Sequence, residues 1–221
     1  MVEYLLDKPY IKKFVQVGTS ELYGPVDKPV DENYPLNPTS PYAVSKLAAD
    51  MHLESMFKVK NFPMNIIRPS NGYGSGQLLY RIIPKAALMI LKGEKFPLEG
   101  GGKVKKSFMH CRDIAEAIFA VLKDGKMGEI YNAGVDKPVS MRKLVEIVCD
   151  QLDTEFNNCV NITEGRAGED KQYWLDSTKL FNDTGWKSKI SLEEGIAETV
   201  NWVKENLNNF DDEILEFNLR A

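Results

Sequence analysis

Apolar positions along the chain fall into two rhythms. KKFVQVG, bounded by Gly18, and MNIIRP, stopped by Pro69, are compact β-rich runs without a polar face, as buried strands of a parallel sheet require. Between them Thr39 or Ser40 can cap a helix whose first turn takes Pro41. Tyr42, Ser45, Lys46, Ala49 and Leu53 then recur at helical spacing, to about Phe57. A short helix end over Val2 to Leu6 precedes the first strand, and LLYRIIPKAALMILKG predicts a helix closed by Gly93. KKSFMH predicts a strand, CRDIAEAIFAVLKDG a helix, GEIYNAG a strand, and VSMRKLVEIVCDQLD a helix capped by Ser140. Asp176 starts a short helix. SLEEGIAETVNWVKENL is amphipathic, with Ser191 and Glu194 as a capping box. Strands alternating with helices of this length predict an α/β fold on a mostly parallel sheet.

A parallel sheet that binds a dinucleotide normally begins with a strand, a Gly-rich turn and a helix, followed by an acidic residue after the second strand. That beginning is not in the sequence. The one glycine cluster, EGGGKVKKS at Glu99 to Ser107, lacks phosphate-loop spacing and precedes a strand, so it reads as a flexible hairpin turn. At about thirty residues per βαβ unit, roughly 100 residues of sheet are expected ahead of Met1. The acidic, Asn-rich stretch 208–221 is expected to be a C-terminal tail.

Composition narrows the class. The 221 residues, 43% hydrophobic, can bury one large core or two small ones. A formal charge of -4 gives no electrostatic footprint for nucleic acid or an acidic membrane, and no run reaches the roughly 18 apolar residues of a membrane span. Cys111, Cys149 and Cys159 are odd in number and have no zinc-site or disulfide-framework spacing, so they read as reduced thiols of a cytoplasmic protein. His52 and His110 have no companion at metal-ligand spacing, so no metal is expected, and Trp174, Trp186 and Trp202 read as packing residues.

Two motifs carry chemistry: TSELYG at Thr19 to Gly24, after a buried strand, and YAVSK at Tyr42 to Lys46, on the next helix. Residues four apart on a helix share a face, so the phenol of Tyr42 and the ammonium of Lys46 can point the same way. A cation beside a phenol favours the phenolate and makes Tyr42 a candidate base toward a sugar hydroxyl. A Tyr–Lys pair at this spacing is by itself commonly a surface pair; the strand-end location of TSELYG argues for the chemical reading over simple capping by Thr19 and Ser20 or a solvated turn at Glu21.

With RPSNGYG downstream, these motifs resemble the extended short-chain dehydrogenase/reductase family, and within it the NAD-dependent nucleotide-sugar epimerases, dehydratases and decarboxylases. The likeness runs from about Lys12 to Asn206. GKMGEIYNAGVDKPVSMRKLVEIV and GRAGEDKQYWLDSTKLFNDTGWKSKISLEEGIAETVNWV are most similar to dTDP-glucose 4,6-dehydratases. The resemblance implies the C-terminal part of a doubly wound parallel (Rossmann) sheet plus a smaller α/β substrate-binding lobe. Residues 1–70 and 105–135 would be the remnant of the NAD-binding domain, and 71–104 and 136–207 the nucleotide-sugar lobe.

The activity implied is a lyase-type 4,6-dehydration or an epimerisation, begun by a temporary oxidation at carbon 4 of the sugar. Tyr42 would take the 4-hydroxyl proton, Lys46 bind the nicotinamide ribose, Thr19 hold the 4-oxygen and Glu21 remove the proton acidified by the new ketone. Pro69 and Ser70 would lie by the nicotinamide, and Asn71, Arg81, Lys106 and Arg166 by the pyrophosphate of the nucleotide-diphosphate sugar. Ser20 stands where these dehydratases usually carry the proton-donating Asp, Lys106 where an Arg is usual, and Glu169 where a His is common. Ser20 leaves the reaction open among dehydratase, 4-epimerase and decarboxylase. The family also implies a homodimer through the Tyr42 helix. Binding of NAD by this chain alone is expected to be weak or absent, with the amino-terminal half cut away or separately encoded. A non-catalytic sugar-nucleotide-binding or dimerising remnant is the remaining reading.

Overall fold

A computed structural model describes residues 1–165 and 172–210. In chain order the elements are α1 (Val2–Leu6), β1 (Phe14–Val17), a 3-10 turn (Ser20–Tyr23), α2 (Pro41–Lys60), β2 (Met64–Pro69), β3 (Asn71–Tyr73), α3 (Ile82–Leu91) and β4 (Phe96–Glu99). After a second 3-10 turn (Gly100–Gly102) come β5 (Lys105–Lys106), β6 (Phe108–His110), α4 (Cys111–Asp124), β7 (Ile130–Ala133), β8 (Val139–Ser140) and α5 (Met141–Gln151). The chain continues with α6 (Phe156–Cys159), β9 (Val160–Thr163), α7 (Thr178–Thr184) and α8 (Leu192–Glu205).

The chain divides into two compact units. The first comprises 1–72, 107–138 and the described part of 170–189; the second comprises 73–106 and the described parts of 139–169 and 190–221. Residues 172–189 group with the first unit. Leu180 and Trp186 bury against Ile67, Met109 and Tyr131, which holds this segment in the first unit.

The first unit is built on a parallel three-stranded sheet, order β1-β2-β7, with Phe14 opposite Met64 and Ile66 opposite Ile130. Central β2 explains its own composition. Met64 and Ile66 pack with Leu53 of α2 and Phe62, whereas Ile67 turns to the other face, against Ala117 and Val121 of α4. Both faces are covered, so the strand has no polar side, and each fully buried aliphatic side chain contributes about 1.5–3 kcal/mol. Ser40 accepts from the Ala43 amide at 3.1 Å and starts α2 as expected. The helix runs three residues past the expected end, to Lys60, and Asn61 closes it in the left-handed conformation (φ 54°).

KKSFMH, expected as one strand, is split at Ser107, because its two halves pair with different strands: β5 with β8 and β6 with β3. The Ser107 hydroxyl donates to the Tyr173 carbonyl at 2.9 Å, and the Ser107 carbonyl accepts from the backbone and side chain of Asn71 at 3.1 and 3.2 Å. The short helix expected from Asp176 starts two residues later. The Asp176 carboxylate accepts from the Thr178 amide at 2.8 Å. No helix among the described residues is long and apolar enough to cross a membrane.

In the second unit, α3, α5 and α8 pack on one another, β4 pairs parallel with β9 (Phe96 opposite Val160), and β5 pairs antiparallel with β8. Ser140 and Ser191 cap α5 and α8 as their sequences imply, at 3.1 and 3.2 Å. The glycine cluster is a packed turn and not the flexible hairpin expected. Gly102 is buried at φ 68°, and a Cβ there would stand 2.5 Å from the Arg142 amide nitrogen at the start of α5. Gly102→Ala therefore meets both left-handed strain and a backbone clash, and we expect a loss of about 1–3 kcal/mol in urea unfolding. A variant as stable as the parent would refute the packing argument.

Candidate active site

β1 ends at Val17, and Gly18 carries the chain across its carboxyl end. The Gly18 amide donates to the Ile67 carbonyl at 2.7 Å, so the backbone lies flat against β2. A Cβ on Gly18 would stand 3.2 Å from Arg68 Cγ and 3.4 Å from the Asp50 carboxylate, tighter than most side chains tolerate. Thr19 is extended, and its Oγ1 accepts from the Glu21 amide at 3.3 Å, capping the 3-10 turn that follows. Ser20 is buried and Glu21 half-buried, with Leu22 and Tyr23 buried as anchors.

α2 packs against this turn. Lys46 Nζ donates to the Val17 carbonyl at 2.6 Å, which fixes the ammonium at the strand end two residues before Thr19. Tyr42, one helical turn earlier, is 53% exposed. Pro69 is half-buried and Ser70 buried just beyond β2; the Ser70 hydroxyl has no hydrogen-bond partner among the described residues. Thr19, Ser20, Glu21 and Lys46 thus share the carboxyl end of β1, with Tyr42 on the Lys46 helix and Pro69 and Ser70 at the end of the neighbouring strand. Asn71 is bound inward, its amide donating to the Ser107 carbonyl.

In the second unit, Arg81 is exposed at the start of α3, its guanidinium 5.3 Å from the centre of the Tyr80 ring, and Lys106 is half-buried on β5. This unit also holds a cavity of about 260 Å³ lined by Tyr80, Phe96, Leu98, Glu99, Val104 and Met141. Arg166 and Glu169 lie outside the described residues.

Beneath the strand-end turn lies a buried polar network that no motif announces. Arg68, on β2 and 1% exposed, donates through Nε to Asp50 of α2 at 3.0 Å and through Nη1 to the Tyr23 hydroxyl at 2.9 Å. That hydroxyl donates to Asn132 Oδ1 on β7 at 2.8 Å, and the Asn132 amides donate to Glu32 and to the Val30 carbonyl. One guanidinium thereby joins α2, β2 and the strand-end turn, and through Tyr23 it reaches β7. Burial works against the Arg68 charge, but the bonds to Tyr23 and Asp50 outweigh it and hold the guanidinium above its ordinary value. Burial pushes the Asp50 carboxyl and the Tyr23 phenol up, against the pull of Arg68 on both.

A sequence signal for the network exists. Arg68 places a charge in a buried strand, and Ala43, Lys46, Asp50 and Leu53 follow one helical stripe in which two members are charged. An arginine in a buried strand requires an acceptor, and Asp50 is the acidic residue on the stripe facing it.

Residues 3–199 match the family model described as GDP-mannose 4,6 dehydratase. The chain belongs to this family. It is 35% identical over 206 residues to human dTDP-D-glucose 4,6-dehydratase, covering 90% of this chain and 59% of that protein. It is 31% identical to dTDP-glucose 4,6-dehydratase from Streptomyces griseus over 87% of this chain and 58% of that one. Among solved structures, dTDP-glucose 4,6-dehydratase from Bacillus anthracis, in complex with NAD, aligns with TM-score 0.87 and 33% identity over 94% of this chain and 66% of that chain. UDP-glucose 4-epimerase from Thermotoga maritima aligns with TM-score 0.85 and 26% identity over 93% and 67%. The chain thus has the Rossmann-type α/β fold of these dehydratases and epimerases and spans about three fifths of the curated relatives' length.

Removing one partner of a buried ion pair leaves the other charge without compensation, which typically costs about 3–5 kcal/mol, whereas replacing both with apolar residues can be nearly neutral. We expect Asp50→Leu alone to lose stability on that scale in urea unfolding and Asp50→Leu with Arg68→Met to recover most of it. A double variant as damaged as the single one would show that Arg68 and Asp50 are not coupled.

Proposed function

We propose that this chain carries the catalytic and sugar-nucleotide-binding part of an NAD-dependent nucleotide-sugar 4,6-dehydratase. The observation that carries the reading is Lys46 fastened to the Val17 carbonyl at 2.6 Å, which sets the Tyr42–Lys46 helix beside the turn bearing Thr19, Ser20 and Glu21. Open α/β sheets bind ligands beyond the carboxyl ends of their strands, where these residues stand.

The residues present fit the nicotinamide-ribose end of NAD. Lys46 offers further N–H donors at the end of β1, and Ser70 a buried hydroxyl without a partner among the described residues at the end of β2. The 221 residues hold no Gly-rich turn for the dinucleotide pyrophosphate. When bound, NAD would supply a reversible hydride acceptor for carbon 4 of the sugar. Tyr42 removes the proton of the 4-hydroxyl, helped by the nearby ammonium, and Thr19 Oγ1 orients the 4-oxygen. The 4-ketone acidifies the neighbouring C–H bond. Glu21 takes that proton, and the 6-hydroxyl leaves as water with a proton relayed through Ser20, a weaker acid than the aspartic acid usual there.

In the second unit, Tyr80, Phe96 and Leu98 provide apolar walls and Glu99 a polar acceptor suited to a planar nucleobase, with Arg81 and Lys106 supplying cations for its diphosphate. Arg166 would add a third cation. The exposed apolar residues Val44, Met51 and Val59 on α2 support a homodimer through that helix, in a cytoplasmic enzyme.

Incubating the full-length source protein with NAD and a panel of dTDP-, UDP- and GDP-sugars, followed by mass spectrometry, distinguishes the reactions. A product lighter by one water supports the dehydratase. Unchanged mass with inverted stereochemistry would mean a 4-epimerase, loss of carbon dioxide from a hexuronate a decarboxylase, and binding without turnover a non-catalytic module. Tyr42→Phe is expected to lower kcat at least about 100-fold, the lower end of what a positioned acid–base group contributes. Size-exclusion chromatography with light scattering should give twice the chain mass for the dimer, and a monomer at micromolar concentration would remove that part of the proposal.

A further inference from the structure

Cys149, near the end of α5, and Cys159, the last residue of α6, place their sulfurs 3.3 Å apart in the second unit. Both are free thiols, 1% and 7% exposed. Cys159 Sγ also lies 3.3 Å from the Glu155 carbonyl and can donate a hydrogen bond to it, which leaves its lone pairs open to the Cys149 thiol. The two sulfurs are thus aimed at each other. A disulfide needs them at about 2.05 Å, a closure of little more than an ångström that a small side-chain rotation can supply. A metal site is the alternative use for such a pair, but no group of three or more His, Cys, Asp or Glu side chains that could hold an ion occurs among the described residues.

We propose that Cys149 and Cys159 form a dithiol modification site that reacts with a low-molecular-weight disulfide to give an intramolecular Cys149–Cys159 bond. Cys159 is the less buried residue of the two. It loses its proton and as thiolate attacks one sulfur of the small disulfide, forming a mixed disulfide and expelling a small thiolate that takes up a proton. Cys149 then gives its proton to water, attacks the Cys159 sulfur and expels the second small thiol. Two protein thiols are oxidised and one small disulfide is reduced to two thiols. Burial pushes the Cys149 thiol up to about 12, so this second step is slow at neutral pH and accelerates as pH rises.

The bond would tie the end of α5 to the segment entering β9. β9 pairs with β4, which contributes Phe96 and Leu98 to the cavity, and α5 begins at Met141, which lines it too. The modification therefore fastens two walls of that cavity, and it stands whether or not a nucleotide sugar binds there.

The folded chain is incubated with oxidised glutathione between neutral and mildly alkaline pH, its remaining thiols are alkylated, and intact mass and peptide maps are recorded. We expect loss of two hydrogens per chain, a linked Cys149–Cys159 peptide forming faster at higher pH, and a raised urea midpoint that falls back on reduction. Cys149→Ser and Cys159→Ser should each abolish the linked peptide and Cys111→Ser should not. If a serine variant fails to fold by circular dichroism, the wild-type map decides alone. Glutathione held on Cys111 or Cys159, or no reaction, without a linked peptide in the folded wild-type chain, would overturn the proposal.

Discussion

The guanidinium of Arg68 is held almost out of water in the middle of the parallel sheet, and the order of the first unit depends on satisfying it. A lone buried cation would cost several kcal/mol, so Asp50 must come from α2 and the Tyr23 hydroxyl from the strand-end turn. Those two requirements bring the helix bearing Tyr42 and Lys46 and the turn bearing Thr19 to Glu21 to a common anchor. Gly18 completes the arrangement, because a Cβ there would press on both Arg68 and Asp50. The polar interior thus specifies geometry that apolar packing alone, tolerant of sliding, would leave loose.

Lys46 shows how this anchor meets chemistry. It shares a stripe of α2 with Asp50 and lies within reach of its field, yet its hydrogen bond goes to the last carbonyl of β1. The ammonium is therefore positioned by backbone at the sheet edge and by helix register together. Tyr42, one turn away, remains exposed. In the second unit the apolar walls come from α3, β4 and α5, and its cations from the start of α3 and from β5.

Capping and periodicity in the sequence were enough for α2, α5 and α8, which start at Ser40, Ser140 and Ser191, and compact apolar runs were enough for the two main parallel strands, whereas the four-residue α6 carries no such pattern. The motif residues Thr19, Ser20, Glu21, Tyr42 and Lys46 were legible for the same local reason: helical spacing and a strand end fix their neighbourhood. The four-residue strands β4 and β9 were not, since each is stable only through its partner and neither carries a pattern long enough to read. Tertiary structure alone decided that Ser107 breaks a strand, that residues 172–189 return to the first unit, that the glycine cluster is a packed turn, and that Arg68, Asp50, Tyr23 and Asn132 form one network. Each of these rests on groups far apart in the chain, and the energy of a buried hydrogen bond or a steric clash exists only once folding has brought both partners to the same place.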